Sequence, residues 1–239
     1  MTKPGLSIVL PAYNEDANIG RAVRDAAAAA AALVPDYEIV VVDDGSRDGT
    51  GAVLGDLERE LGPRLRVVRH PQNRGYGAAL RSGFAATRGE LVFYTDSDNQ
   101  FDLTELGGFL PLMADCDAAL GYRVDRQDPW TRRAASGFFN RLSSIAFGIS
   151  VRDLNCSFKL FRGDLLRALP LESDDFFIDT EMVARIHHGG WRYVERGVRH
   201  FPRRAGRSTV RFRDVPRTLA AIARFWPRLR ARPLSRRTA

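Results

Sequence analysis

The sequence predicts an α/β fold, a Rossmann-like and mostly parallel sheet flanked by helices. Short, β-branched apolar runs alternate with helix-like segments through the first hundred residues, as parallel strands buried on both faces and their crossover helices require. Each apolar run also ends in a polar cluster. Strand–helix alternation puts all those clusters at one edge of the sheet, beyond the carboxyl ends of the strands, where such sheets bind ligands.

Leu6-Ser7-Ile8-Val9-Leu10 is the first strand and runs into Pro11-Ala12-Tyr13-Asn14-Glu15. An alanine-rich helix follows over 17–34. Tyr37-Glu38-Ile39-Val40-Val41-Val42 is the second strand and ends in Asp43-Asp44-Gly45-Ser46, ahead of a helix over 49–61. The third strand, Leu65-Arg66-Val67-Val68-Arg69, leads through Asn73-Arg74-Gly75 into a helix over 76–88. The fourth, Leu91-Val92-Phe93-Tyr94, precedes Asp96-Ser97-Asp98-Asn99-Gln100. Further on, Phe138 to Val151 is apolar and amphipathic and suits a core helix. His187-His188 ahead of Gly189-Gly190 mark a helix C-terminus, where His suits the dipole. A late strand is expected at 192–199, with Phe176, Phe177, Trp191 and Tyr193 in the core around it.

The stretch 96–100 is the most informative. Two acids at i and i+2 and an amide at i+4, directly after a strand, point oxygen ligands the same way. Mg²⁺ and Mn²⁺ prefer such hard ligands, and Mg²⁺ commonly takes one or two carboxylates and fills its shell with water and substrate phosphates. The alternative is that the acids cap a following helix.

The composition fits one α/β domain of 239 residues. No run of 18 apolar residues occurs, so no transmembrane helix is expected, and the first strand begins too early to leave room for a signal peptide. Two cysteines, Cys116 and Cys156, make no disulfide framework and lack zinc spacing, which points to a reducing cytoplasm. Charge is uneven. Residues 200–239 carry twelve Arg and a single acid, Asp214, a net +11, while the rest of the chain carries 24 basic and 28 acidic residues, a net −4 within the total of +7. Basic tails meet phosphate. Val215, Leu219, Ile222, Trp226 and Leu229 form one helical stripe flanked by Arg, which can lie in an anionic membrane interface or pack on the domain; the many Arg favour the membrane. No nucleic-acid reading motif accompanies the tail, so nucleic acid is not an expected partner.

PAYNE at 11–15, VVDDGS at 41–46, NRGYGAALRSG at 73–83 and DSDNQ at 96–100 resemble the inverting family 2 glycosyltransferases of the GT-A fold. Within that family the chain is most similar to the dolichyl- and polyprenyl-phosphate sugar synthases. Their further marks recur in order as Gly121-Tyr122-Arg123, Trp130-Thr131-Arg132-Arg133 ahead of Ser136 and Asn140, Asp153-Leu154-Asn155-Cys156-Ser157-Phe158-Lys159, and Arg203 to Ser208. The resemblance implies a GT-A domain over 1–212 and a basic amphipathic tail over 213–239. It also implies a peripheral enzyme on the cytoplasmic face of the membrane, with a GDP- or UDP-linked sugar as donor and a polyprenyl phosphate as acceptor. It assigns Pro11, Tyr13, Glu15, Val42 and Asp44 to the base and ribose of the donor, with Ser97 beside the nucleotide. Asp96, Asp98 and Gln100 match the ligands of Mg²⁺ or Mn²⁺; Arg123, Arg132 and Arg203 match the residues that hold donor and acceptor phosphates.

Three positions depart from the pattern. Gly121-Tyr122-Arg123 replaces the commoner Gly-Ser-Arg, Asn155-Cys156-Ser157-Phe158 replaces a Gly-Phe pair, and Thr209 stands where the related synthases place a Lys. The Gln-x-x-Arg-Trp signature of processive polysaccharide synthases does not occur. A phosphate acceptor needs cations but no general base, because its second pKa of about 6 leaves it largely dianionic at neutral pH. A sugar-hydroxyl acceptor would need a carboxylate base. Asp153, Asp179 and Glu181 are the candidates, against structural readings in which Asp179 caps a helix and Glu181 pairs with Arg185 at i+4.

Overall fold

The computed structural model describes residues 5–124, 130–202, 222–227 and 229, with only the backbone at 130–135. The four expected strands are β1 (Leu6–Ala12), β2 (Tyr37–Asp43), β3 (Leu65–Arg69) and β4 (Leu91–Thr95). The crossover helices are α1 (Asp16–Leu33), α2 (Thr50–Leu61) and α3 (Tyr76–Ala86). The second half adds β5 (Ala118–Val124), α4 (Trp130–Phe147), β6 (Phe158–Arg162), α5 (Gly163–Ala168), α6 (Ile178–His188) and β7 (Tyr193–Arg199). The seven strands form one sheet in the order β3-β2-β1-β4-β6-β5-β7. β6 alone among them runs against its neighbours β4 and β5; the remaining pairs are parallel.

Why this chain makes a two-sided sheet is plain in β1 and β2, where every residue is buried. Leu6, Ile8 and Leu10 face one core with Ile39, Val41 and Phe93, against Ile19, Val23, Ala26 and Ala30 of α1 and Leu54 and Leu57 of α2. Val9, Val40, Val92 and Tyr94 face the other, against Leu80 and Phe84 of α3 and Met182, Val183 and Ile186 of α6. The alternation is the period-2 geometry of a strand, with both phases apolar. Helix α3 sits so close to the sheet that a Cβ on Gly83 would lie 2.5 Å from Val9 Cγ1.

Two expectations about packing need correction. Phe176 is 41% exposed rather than in the core, whereas Phe177 and Trp191 are buried as expected. In the tail, residues 222–227 are helical, but Phe225 (5% exposed) and Leu229 (7%) pack into the second core, leaving Trp226 39% exposed. Phe225 meets the rings of Phe147 and Phe177 and lies under the Arg185 guanidinium, and Trp226 Nε1 donates to Ala146 O at 2.8 Å. This part of the tail therefore covers the domain with its apolar side, because the aromatic pocket at α4 and α6 removes more apolar surface from water than a helix lying alone could. No described helix is long and apolar enough to cross a membrane.

Candidate active site

Parallel pairing brings the ends of β1, β2 and β4 together. Pro11 and Val42, both assigned to the donor, are register partners, and Ser97 Oγ donates to Pro11 O at 2.8 Å, tying the turn after β4 to β1. The loops after β1 and β2 brace each other. Asn14, in the left-handed region at φ 55°, donates its N–H to Ser46 Oγ and accepts from Arg47 N–H on its own Oδ1. Glu15 N–H donates to Thr50 Oγ1 at 2.9 Å, while its Oε2 accepts from Asn18 Nδ2 at 2.7 Å. Tyr13 projects at 37% exposure on this rim.

Asp44 is 3% exposed, and its carboxylate shapes the crevice wall from within. Oδ1 lies 2.6 Å from His70 Nδ1 and accepts from Arg74 N–H, and Oδ2 accepts from Gly75 N–H, both at 2.9 Å. The loop it holds is glycine for a reason. Gly75 has φ 98°, and a Cβ there would stand 2.4 Å from Asp174 O.

The acids after β4 do not cap a helix; the next helical turn, Leu103–Gly108, is capped by Asp102, which accepts from Thr104 N–H. Both oxygens of Asp96 are instead met by hydroxyls, Tyr76 Oη at 3.0 Å on Oδ1 and Ser157 Oγ at 2.6 Å on Oδ2. Burial, with a further contribution from the Asp179 carboxylate, raises the Asp96 pKa despite those two hydrogen bonds. Asp98 is half-buried and accepts from Gln100 N–H at 3.2 Å. Gln100 pairs with Phe201 through its backbone carbonyl and through its side-chain nitrogen, both at 2.8 Å, so its amide oxygen is the atom that could meet a cation.

These residues suit Mg²⁺ or Mn²⁺. Asp96, Asp98 and Gln100 would offer the ion two carboxylates and an amide; among the described residues no group of three or more His, Cys, Asp or Glu could hold a metal. Such a sparse oxygen set fits an ion that completes its shell with diphosphate and water. A cation beside Asp96 would also offset the burial that disfavours its charge.

In the second half the charged groups pair with one another. Arg123 forms a bidentate pair with Asp153, Nε to Oδ2 at 2.7 Å and Nη2 to Oδ1 at 2.8 Å, with both side chains about nine-tenths buried. Arg123 was expected to hold a phosphate and Asp153 to be open as a base; in this structure the guanidinium fork and the carboxylate fill each other. Asp179, in the first turn of α6, caps nothing. It accepts from Lys159 Nζ at 2.6 Å and from Tyr94 Oη, and Lys159 also reaches Cys156 O and Tyr94 Oη. Glu181 pairs with Arg185 as the i+4 spacing suggested and also accepts from the N–H groups of Glu172 and Ser173. Arg132 falls on the backbone of α4, its side chain outside the described residues, and Arg203 lies outside them altogether.

Sequence reasoning passed over Tyr76, Ser157, His70 and Lys159. A signal existed for Lys159. It is one of two lysines beside 34 arginines, and it stands in an apolar strand.

A model of the family described as "Glycosyl transferase family 2" matches residues 7–169. Among curated relatives, the undecaprenyl-phosphate 4-deoxy-4-formamido-L-arabinose transferase of Aeromonas hydrophila is 32% identical over 165 residues, 69% of this chain and 51% of that protein. The dodecaprenyl-phosphate galacturonate synthase of Rhizobium johnstonii is 29% identical over 236 residues, 95% of this chain and 69% of that protein. The chain spans about half the length of the first of these relatives. Among solved structures, glucosyl-3-phosphoglycerate synthase from Mycobacterium tuberculosis with Mn²⁺, UDP and glucosyl-3-phosphoglycerate aligns with a TM-score of 0.64 at 20% identity, covering 95% of this chain and 78% of that one. Its complex with Mg²⁺ and UDP aligns at 0.67 and 22% identity, covering 92% and 79%. These two likenesses speak for the fold. The family match, lying over the strand ends that gather Pro11, Asp44, Asp96 and Asp98, shows that this chain belongs to glycosyl transferase family 2.

Proposed function

We propose that this chain moves a sugar, with inversion, from a GDP- or UDP-linked donor to the phosphate of a polyprenyl phosphate at a membrane surface. The observation that carries this reading is the state of the three carboxylates that could have served as a base. Asp153 is consumed by Arg123, Asp179 by Lys159 and Tyr94, and Glu181 by Arg185 and two backbone N–H groups. An acceptor that brings its own negative charge needs none of them. The two relatives described above are named for transfer to undecaprenyl phosphate and synthesis on dodecaprenyl phosphate, which supports the same acceptor class.

Pro11, Tyr13, Glu15 and Val42 line the donor nucleotide in this reading, and Asp44 acts by fixing the loop at 74–75 that walls it. Asp96, Asp98 and Gln100 would hold Mg²⁺ or Mn²⁺, which would supply positive charge to neutralise the departing diphosphate. An acceptor phosphate oxygen forms its bond to the anomeric carbon as the bond from that carbon to the diphosphate oxygen breaks; no proton has to move. Arg132 and Arg203 hold the acceptor phosphate, a task that bidentate guanidinium groups suit. The lipid would be met at α4, where Phe138 and Ile145 are 63% and 72% exposed and seven residues apart on one helical face.

The test is to incubate the protein with Mn²⁺, a panel of labelled sugar nucleotides and polyprenyl phosphate, and to follow label into the organic phase. Label from at least one GDP- or UDP-sugar is expected there. Label appearing only on water-soluble glycans would overturn the lipid acceptor.

A further inference from the structure

We infer that Tyr76 and Ser157 are positioning residues for Asp96, locking its carboxylate in the orientation that the divalent ion of the proposed reaction requires. The inference rests on that reaction for its purpose but on hydrogen-bond geometry for its content. The two donors come from different elements. Tyr76 opens α3 and Ser157 immediately precedes β6, and each gives one hydroxyl to one carboxylate oxygen, at 3.0 and 2.6 Å. One donor per oxygen fixes the rotation of the carboxylate plane and leaves each oxygen a further lone pair for a cation.

Both donors are themselves held. The Tyr76 ring stacks on Phe176, centroids 4.9 Å apart at 26°, and Ser157 is 4% exposed at the start of a paired strand. Behind Ser157, Lys159 Nζ is completely buried between Cys156 O, Tyr94 Oη and Asp179, which fixes the strand that carries the serine. Partners of this kind orient ligating carboxylates, and losing one typically weakens metal binding about 10- to 100-fold.

The test is Mn²⁺ binding to the full chain, read as free Mn²⁺ by electron paramagnetic resonance, with Mn²⁺ alone and with Mn²⁺ plus UDP or GDP. Tyr76→Phe keeps the ring stack and loses only the hydroxyl; Ser157→Ala loses the other hydroxyl; Ser157→Thr retains one. The expectation is roughly tenfold weaker Mn²⁺ binding for each single loss, a larger loss in the double variant and recovery in Ser157→Thr, all with wild-type circular dichroism. Mn²⁺ affinity equal to or tighter than wild type in both Tyr76→Phe and Ser157→Ala would overturn the inference. A wild-type protein that binds Mn²⁺ and loses affinity in these variants, yet labels no polyprenyl phosphate, would defeat the proposed acceptor and uphold the positioning role.

Discussion

The two halves of the sheet treat charge in opposite ways. At the ends of β1, β2 and β4 the acids hold loops and hydroxyls: Asp96 takes Tyr76 and Ser157, Asp98 takes the Gln100 N–H, and Asp44 holds the loop at 74–75. Around β5, β6 and α6 the ionic groups close on themselves as Arg123–Asp153, Lys159–Asp179 and Glu181–Arg185. Pairs this deeply buried offset their own desolvation and have little attraction left for a ligand. On the proposed reading the first half would receive a cation and a diphosphate, and the paired charges of the second would leave an acceptor to bring its own charge.

The comparison breaks most visibly at Asp98. Asp98→Ala removes a half-buried acid that belongs to neither apolar core, so transfer should fall by roughly two orders of magnitude or more, as the loss of several kcal/mol of charge stabilisation requires, while the thermal midpoint stays near wild type. Substantial transfer by the variant, or by wild type in excess EDTA, would remove the metal from the account. On the other side, Lys159→Met should cost stability instead. It strands Asp179 without its cation in a fully buried site, a loss of about 3–5 kcal/mol in urea unfolding, and Lys159→Met with Asp179→Leu should recover part of it. A Lys159→Met protein as stable as wild type would show that the second half is not held by its internal pairs.

Arg203→Ala sharpens the donor and acceptor division. Losing a charged bidentate contact typically costs about 1.5–3 kcal/mol, or roughly tenfold to over a hundredfold in transfer, while nucleotide binding by calorimetry should change far less. Equal losses in both would move Arg203 to the donor side.

The smallest effect concerns the far end of the strands. Burial alone would raise Glu38, but hydrogen bonds from Ser7 and from the Arg88 backbone and side chain outweigh it and leave its pKa below the ordinary value. Its stabilisation is therefore present above the unfolded-state pKa and lost as the pH falls through the lower folded-state one. Glu38→Gln should flatten that acid limb of a stability–pH curve without altering transfer at neutral pH. The buried thiol of Cys156, pushed up to about 12 chiefly by desolvation, should likewise resist alkylation in the native protein at pH 8.

Much of this was legible in the sequence. The strands of the first half show because a parallel strand buried on both faces is a continuous β-branched run, and the helix end at His187-His188 shows because Gly189 follows it. The candidate metal motif is legible because its three members, Asp96, Asp98 and Gln100, fall within five residues of one strand end. What could not be read depends on contacts across long separations. Arg123 meets Asp153 thirty residues away, and Asp96 meets Ser157 sixty-one residues away. Their residue types alone fit a phosphate clamp, a base or a turn equally well. The tail stripe left membrane and core both open; Leu229 of the stripe turns into the core, and Phe225, outside it, does so because Phe147 and Phe177 form an aromatic pocket for its ring.

The most direct measurement offers polyprenyl phosphate and the matching dephosphorylated polyprenol to the same protein with Mn²⁺ and its preferred labelled sugar nucleotide. The account predicts label on the phosphate alone, with Asp153→Asn acting through lost stability and never opening transfer to the alcohol. Efficient labelling of the free polyprenol, abolished by Asp153→Asn in a protein that remains folded, would contradict it.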